Sequence, residues 1–129
     1  MRARNAVLQA LCLFKGLDAR VSANEMIAFL YAAENEGLTV QDVADAARMT
    51  QSTASRSLRA LGPADSPWSQ APALGLLEAF INPRDGRSHV IHLTARGLEV
   101  RERLEAIIRD AGSDRAWPGE ARGLTSGLP

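Results

Sequence analysis

The segment Leu38–Leu61, LTVQDVADAARMTQSTASRSLRAL, contains two helix starts with a short helix between them. Thr39 is placed to cap the first, with Asp42 near the positive end of the helix and Val40, Val43, Ala44 and Ala47 as its buried stripe. Thr50 caps the second, Gln51 to Leu61, whose inward positions are Ala54, Leu58 and Leu61 and which Gly62-Pro63 ends. Only two or three residues separate the helices, so the segment reads as a helix-turn-helix. With the apolar stripe turned inward, Ser52, Arg56 and Arg59 point outward. Thr53 and Ser55 lie on the flanks, and Gln51 sits near the exposed N-terminal end.

Working outward, two helices precede this unit. Arg2 to Lys15 places Val7, Leu8, Leu11, Cys12 and Phe14 at helical spacing and stops at Gly16, which gives a packing or partner surface. Ser22 and Glu25 form a capping box for the next helix. Its expected buried face is Met26, Ile27, Leu30 and Ala33, and Asn35 and Gly37 terminate it. Downstream, Gly62–Leu74 carries Pro63, Pro67 and Pro72 and reads as a loop. An apolar run Leu76–Ile81, a turn over Asn82–Arg87 with Asp85-Gly86, and Ser88–Leu93 make a β-hairpin signal. Thr94 then caps a last helix marked by Leu98, Leu104, Ile107 and Ile108, running to about Asp110. The expected fold is therefore mainly α with a small β-hairpin wing, a winged helix-turn-helix over residues 1–111, followed by a flexible tail over 112–129.

In such a unit the second helix enters the DNA major groove while the first crosses the backbone. The side chains on Gln51–Arg59 suit that task. Hydroxyls meet base edges or phosphates, glutamine pairs an adenine edge, and arginine forks onto guanine O6 and N7. The charge is partitioned accordingly. Ala23–Ala47 holds five acids (Glu25, Glu34, Glu36, Asp42, Asp45) and no base, whereas Arg48–Leu61 holds Arg48, Arg56 and Arg59 and no acid. Of the 15 basic residues only Lys15 is not arginine, although a GC-rich coding sequence gives the same excess. Base readout is expected from Arg56, Ser52 and Thr53, and phosphate contact from Arg59, Arg84 and Thr50.

The helix-turn-helix segment and DGRSHVIHLTARG (Asp85–Gly97) together resemble the MarR-type winged-helix transcriptional regulators. The likeness covers Leu38 to about Ile108. The family's wing reads Asp-Arg-Arg, a short strand, then Leu-Thr-x-x-Gly, and here Asp85, Gly86, Arg87, Leu93, Thr94 and Gly97 fall at that spacing. The resemblance implies that Arg87 reaches into a minor groove with Asp85 orienting it. It also implies a homodimer built from Arg2–Lys15 and Ala95–Asp110, reading a pseudo-palindromic site on double-stranded DNA, as a repressor. The sequence departs from the family in two places. Gly86 stands where the first wing arginine would be, so its contact is lost or passes to Arg84. Gly62–Leu74, bearing Trp68, is inserted where the family passes almost directly into the wing.

Composition bounds the alternatives. The chain has 129 residues, 46% hydrophobic and 23% charged, with 15 Lys+Arg against 15 Asp+Glu, which fits one soluble domain with its own core. One cysteine, no run of 18 apolar residues and an N-terminus that does not read as a cleavable leader give the expectation of a reducing cytoplasm and no membrane span. Cys12, between Leu11 and Leu13, reads better as a small core residue than as a peroxide-sensing thiol. His89 and His92, three apart on a strand, face opposite sides and cannot share an ion, and no zinc spacing exists. Glu99, Glu102 and Glu105 interleave with Arg101, Arg103 and Arg109 as a solvated helix face. Without a G-x-S-x-G elbow, a Walker loop or a G-x-G-x-x-G, no catalytic centre, cofactor or metal is nominated. Met26, Phe29 and Tyr31 fit core packing at least as well as an effector pocket, and no effector is identified. Two other uses of the fold stay open: a winged-helix protein-interaction module, and a plasmid or phage partition or replication factor.

Overall fold

The computed structural model describes residues 2–111, and the tail expected over 112–129, with Trp117, lies outside the described residues. The elements are α1 (Arg2–Leu17), α2 (Ala23–Glu34), β1 (Leu38–Thr39), α3 (Val40–Ala47), α4 (Gln51–Ala60), β2 (Leu77–Asn82), β3 (Asp85–Leu93) and α5 (Ala95–Asp110). The expected caps form. Ser22 and Thr39 make reciprocal capping boxes with Glu25 and Asp42, and the Thr50 and Thr94 hydroxyls accept from the Thr53 and Gly97 N–H groups.

The core lies where α2, α4, the loop after α4 and the root of the sheet meet. Phe29, Val43, Leu58, Leu61, Leu76, Leu77 and Ile91 are its largest fully buried side chains, and the Phe14 ring meets Phe29 edge-on at 5.9 Å. Ala54, Leu58 and Leu61 face inward as their spacing requires. On α2, Ala33 is buried as expected, but its buried companions are Ala28, Phe29 and Ala32, and Ile27 and Leu30 remain about two-fifths exposed (40% and 43%). The side packed against α4 is the one whose alanines allow close approach, so size rather than hydrophobicity selects it.

Terminal helices α1 and α5 pack on each other. Among the α1 residues whose burial is described, only Phe14 is fully buried; Val7, Leu8, Leu11 and Cys12 are exposed, so the expectation of Cys12 as a core residue is corrected. Its position on the helix turns it away from the Phe14 side. On α5 the buried positions are Gly97, Val100 and Leu104, while Leu98 and Ile108 face outward. Arg101 ties this helix to α2 through a 3.1 Å bond from Nη1 to the Ala33 carbonyl.

The wing is part of a three-stranded antiparallel sheet in the order β1-β3-β2. The third strand was not legible: Leu38 and Thr39 pair with Ile91 and Val90 immediately before Thr39 caps α3. The hairpin turn is also tighter than the sequence suggested. Asn82 pairs with Asp85, so Pro83 and Arg84 form the turn, and Asp85, Gly86 and Arg87 already belong to β3. Proline in the turn removes no ladder donor, and the Asn82 side chain accepts from the Arg84 N–H at 3.0 Å.

The Leu-Thr-x-x-Gly run has a packing explanation. Thr94 Oγ1 donates to the Gly75 carbonyl at 2.6 Å while accepting from the Gly97 N–H at 3.0 Å. A Cβ at Gly97 would lie 2.0 Å from the Leu76 carbonyl oxygen, so only glycine lets α5 seat on this strand entry.

Candidate nucleic-acid interface

Two elements present the candidate residues: α4, carried by α3 across a short turn, and the hairpin β2–β3. Arg48 makes the turn by adopting the left-handed conformation (φ 57°, ψ 44°) at the C-cap of α3, which aims the chain into Thr50 and the next helix. On α4, Gln51, Ser52 and Arg56 are exposed, Thr53, Ser55 and Arg59 are half-buried, and Thr50 is exposed at the cap. At the wing, Arg84, Asp85 and Arg87 are all exposed.

Helix and wing enclose a cleft of about 480 Å³. Of the expected site residues it gathers Gln51, Ser55, Arg59, Asp85 and Arg87. Thr50, Ser52, Thr53, Arg56 and Arg84 do not line it; Ser52 and Arg56 stand on the solvent side of α4, and Arg84 is at the wing tip.

Several of these side chains already have partners. The Thr50 hydroxyl donates to Thr53 Oγ1 at 3.0 Å while accepting the Thr53 N–H at 3.1 Å, so both hydroxyls serve the helix start. Asp85 Oδ1 accepts the Arg87 backbone N–H at 3.0 Å, fixing the backbone from which the Arg87 side chain extends. Arg59 is the most engaged: Nε donates to Ser55 Oγ and Nη1 to the Trp68 carbonyl, each at 3.1 Å, and its guanidinium carbon lies 5.8 Å from the centre of the Trp68 ring.

Sequence reading did not place three contributors at this face, Trp68, His89 and Asn82, nor did it foresee that Ser57 of α4 is buried behind it. Ser57 Oγ donates to the Thr53 carbonyl at 2.7 Å, a back-bond one turn down α4 that satisfies a hydroxyl within the core-facing side. The Trp68 and His89 rings face each other at 6.4 Å with a 40° tilt. No periodicity links an inserted loop to a strand some twenty residues later, so local pattern carried no signal for this pair. His92 points elsewhere, 3.6 Å from Glu36, whose Oε1 accepts the Leu93 N–H at 2.9 Å. Among the described residues no group of three or more His, Cys, Asp or Glu could hold a metal, and no helix is long and apolar enough to cross a membrane.

Helix-turn-helix, flanking hairpin and the packed terminal helices together define a winged helix-turn-helix. No family model matches the sequence, and no curated protein gives a significant match. Among solved structures the fold is shared with S. aureus MepR, solved as a DNA complex, at 21% identity over 98% of this chain and 92% of that one, with a TM-score of 0.66. It is shared also with a MarR transcriptional regulator from Methanosarcina mazei Go1 (14% identity, 98% and 85% covered, TM-score 0.63). A third neighbour is the PcaV transcriptional regulator from Streptomyces coelicolor (21%, 94% and 85%, TM-score 0.56). The chain thus has the fold of the MarR-type winged-helix regulators, from α1 through α5.

Proposed function

We propose that this chain is a cytoplasmic, sequence-specific DNA-binding transcriptional regulator that acts as a homodimeric repressor rather than as an enzyme. The observation that carries the reading is the exposed, acid-free outer face of α4, with Ser52 and Arg56 beside a wing that projects Arg84 and Arg87. A recognition helix in the major groove and an arginine-tipped hairpin at the adjacent minor groove is the geometry this surface fits. Structural neighbours solved on DNA, MepR among them, support it.

Arg56 and Ser52 are assigned to base edges, with Gln51 and Thr53 at the entry of the helix. Arg84 and Arg87 are assigned to the flank, and Thr50 to the backbone near the helix start. Dimerisation is assigned to the paired terminal helices, whose outer faces leave Val7, Leu8, Leu11 and Ile108 exposed. Two α4 helices related by a two-fold axis then address successive major grooves about one helical turn apart.

The test is selection of bound duplexes from a randomised pool at two salt concentrations, with affinities read by fluorescence anisotropy. Enrichment of a two-fold motif, with log affinity falling linearly against log salt, is the expected result. Binding without a motif would replace this reading by an architectural role, and absence of binding at low salt would replace it by a protein-interaction module.

A further inference from the structure

The inserted loop between α4 and β2 is fastened to the recognition helix from within. The last turn of any helix leaves carbonyls without intrahelical donors. Here the Gln70 N–H donates to the Arg59 carbonyl at 2.9 Å, Leu74 to Ala60 at 3.0 Å, and Leu76 and Leu77 to Leu61 at 2.8 and 3.0 Å. The loop also lies tightly on the helix end: a Cβ at Gly62 would meet Ser69 Oγ at 2.2 Å and the Trp68 ring at 3.0 Å. From that base Trp68 reaches the gap between helix and wing. Its carbonyl and ring hold Arg59 of α4, and its ring also faces His89 of β3.

The sheet explains why the wing needs such a support. Strand β1 pairs only with Val90 and Ile91, so from His89 outward β3 has a hydrogen-bonded neighbour on one side alone. Trp68 contacts the hairpin at the residue where the second neighbour ends.

We propose that the 62–74 loop is a brace that sets the wing against the recognition helix, with Trp68 as the positioning residue and Arg59 as its anchor rather than a phosphate ligand. The consequence for DNA, which rests on the regulator reading above, is that the brace fixes how far Arg84 and Arg87 stand from the groove that α4 occupies.

Two measurements test it. In DNA-free protein, spin labels at Ser52→Cys and Gly86→Cys in a Cys12→Ser background, diluted with unlabelled protein, report the helix-to-wing distance. A Cβ at Gly86 meets nothing within 4 Å, so that position accepts the label. Trp68→Ala and Arg59→Lys should both broaden the distribution, and Trp68→Phe should restore it. On a selected duplex the first two should weaken binding roughly three- to tenfold, with hydroxyl-radical protection of the backbone lost at the wing flank and kept at the centre of each half-site.

Arg59→Lys keeps the charge but loses the fork and the stacking surface, so it separates the two roles of the residue. It also stands in if Trp68→Ala fails to fold. Narrow distributions in both variants, or wild-type affinity and footprint for Arg59→Lys, would overturn the brace. If the unmodified protein binds no duplex, the regulator reading fails, and the distance measurement alone decides the brace.

Discussion

Replacing Gly97 by alanine sets two effects of opposite sign against each other. Helix propensity favours alanine by about 1 kcal/mol within a helix. Seating opposes it: the added Cβ would lie 2.0 Å from the Leu76 carbonyl oxygen, where non-bonded carbon and oxygen need roughly 3.3 Å. Relieving the overlap requires α5 to retreat by about 1 Å. That retreat stretches the bond from Thr94 Oγ1 to the Gly75 carbonyl (2.6 Å) and the one from the Thr94 N–H to the Leu76 carbonyl (3.1 Å). Each is worth roughly 1 kcal/mol net, and residual overpacking adds about 1–2 kcal/mol. After the propensity gain the expected loss is about 2–3 kcal/mol, or a melting temperature lower by roughly 8–12 °C for a domain of this size. Thermal and urea unfolding at one fixed protein concentration would measure it, since the proposed dimerisation would make the midpoint concentration-dependent. A midpoint equal to or above that of the unmodified chain would refute the close seating of α5 on Leu76, and with it the packing explanation for the Leu-Thr-x-x-Gly run.

Arg56→Ala should cost about 1–3 kcal/mol on the selected site and relax its base preference, read by repeating the selection; an unchanged profile removes Arg56 from readout. Arg87→Ala should weaken A/T-rich flanks more than G/C-rich ones, and equal loss on both would reduce its role to phosphate contact. Arg48→Gly should raise stability by about 0.5–1 kcal/mol, because φ of 57° strains a side-chain-bearing residue by more than the extra glycine entropy costs; a lower urea midpoint would show the arginine side chain to be stabilising. The forked Arg20 guanidinium holds the Asp18 carboxyl down at about 2, against an ordinary 3.8. That stabilisation is therefore present above about pH 4 and lost as pH falls toward 2. Asp18→Asn should flatten this part of the acid limb, and superimposable urea midpoints across the interval would show that the exposed pair contributes nothing.

Much of this molecule was legible because its signals are local. A hydroxyl just ahead of a helical apolar stripe marks a helix start from neighbouring residues alone, more strongly with a carboxylate three residues on, and Ser22, Thr39, Thr50 and Thr94 all cap as read. The inward face of α4 was equally readable, since Ala54, Leu58 and Leu61 have a single periodic solution. What failed depended on partners. On α2, Ile27 and Leu30 look more buried than Ala28 and Ala32 until α4 is placed against the alanines. Strand β1 is two residues long and exists only because β3 passes beside it. Asp85-Gly86 carries a strong turn signal, yet Pro83-Arg84 wins because Asn82 bonds the Arg84 N–H and pairs with Asp85. For the candidate site, residue types on α4 and the wing were legible, whereas the engagement of Arg59 by Trp68 was not: it joins positions nine apart through a loop without periodicity.

The reach of β1 along β3 divides the hairpin into a root shared with the core and an outer portion, Asn82 to Ser88, in which no residue is buried. Such a division makes the outer portion an exchangeable cartridge. Residues there can be lengthened, shortened or swapped for those of another wing without disturbing Ile91, Leu77 or the seat of α5. On the regulator reading proposed above, new flank preferences would thus arise at the tip while α4 keeps its own, so that the two halves of a binding site would be free to diverge separately.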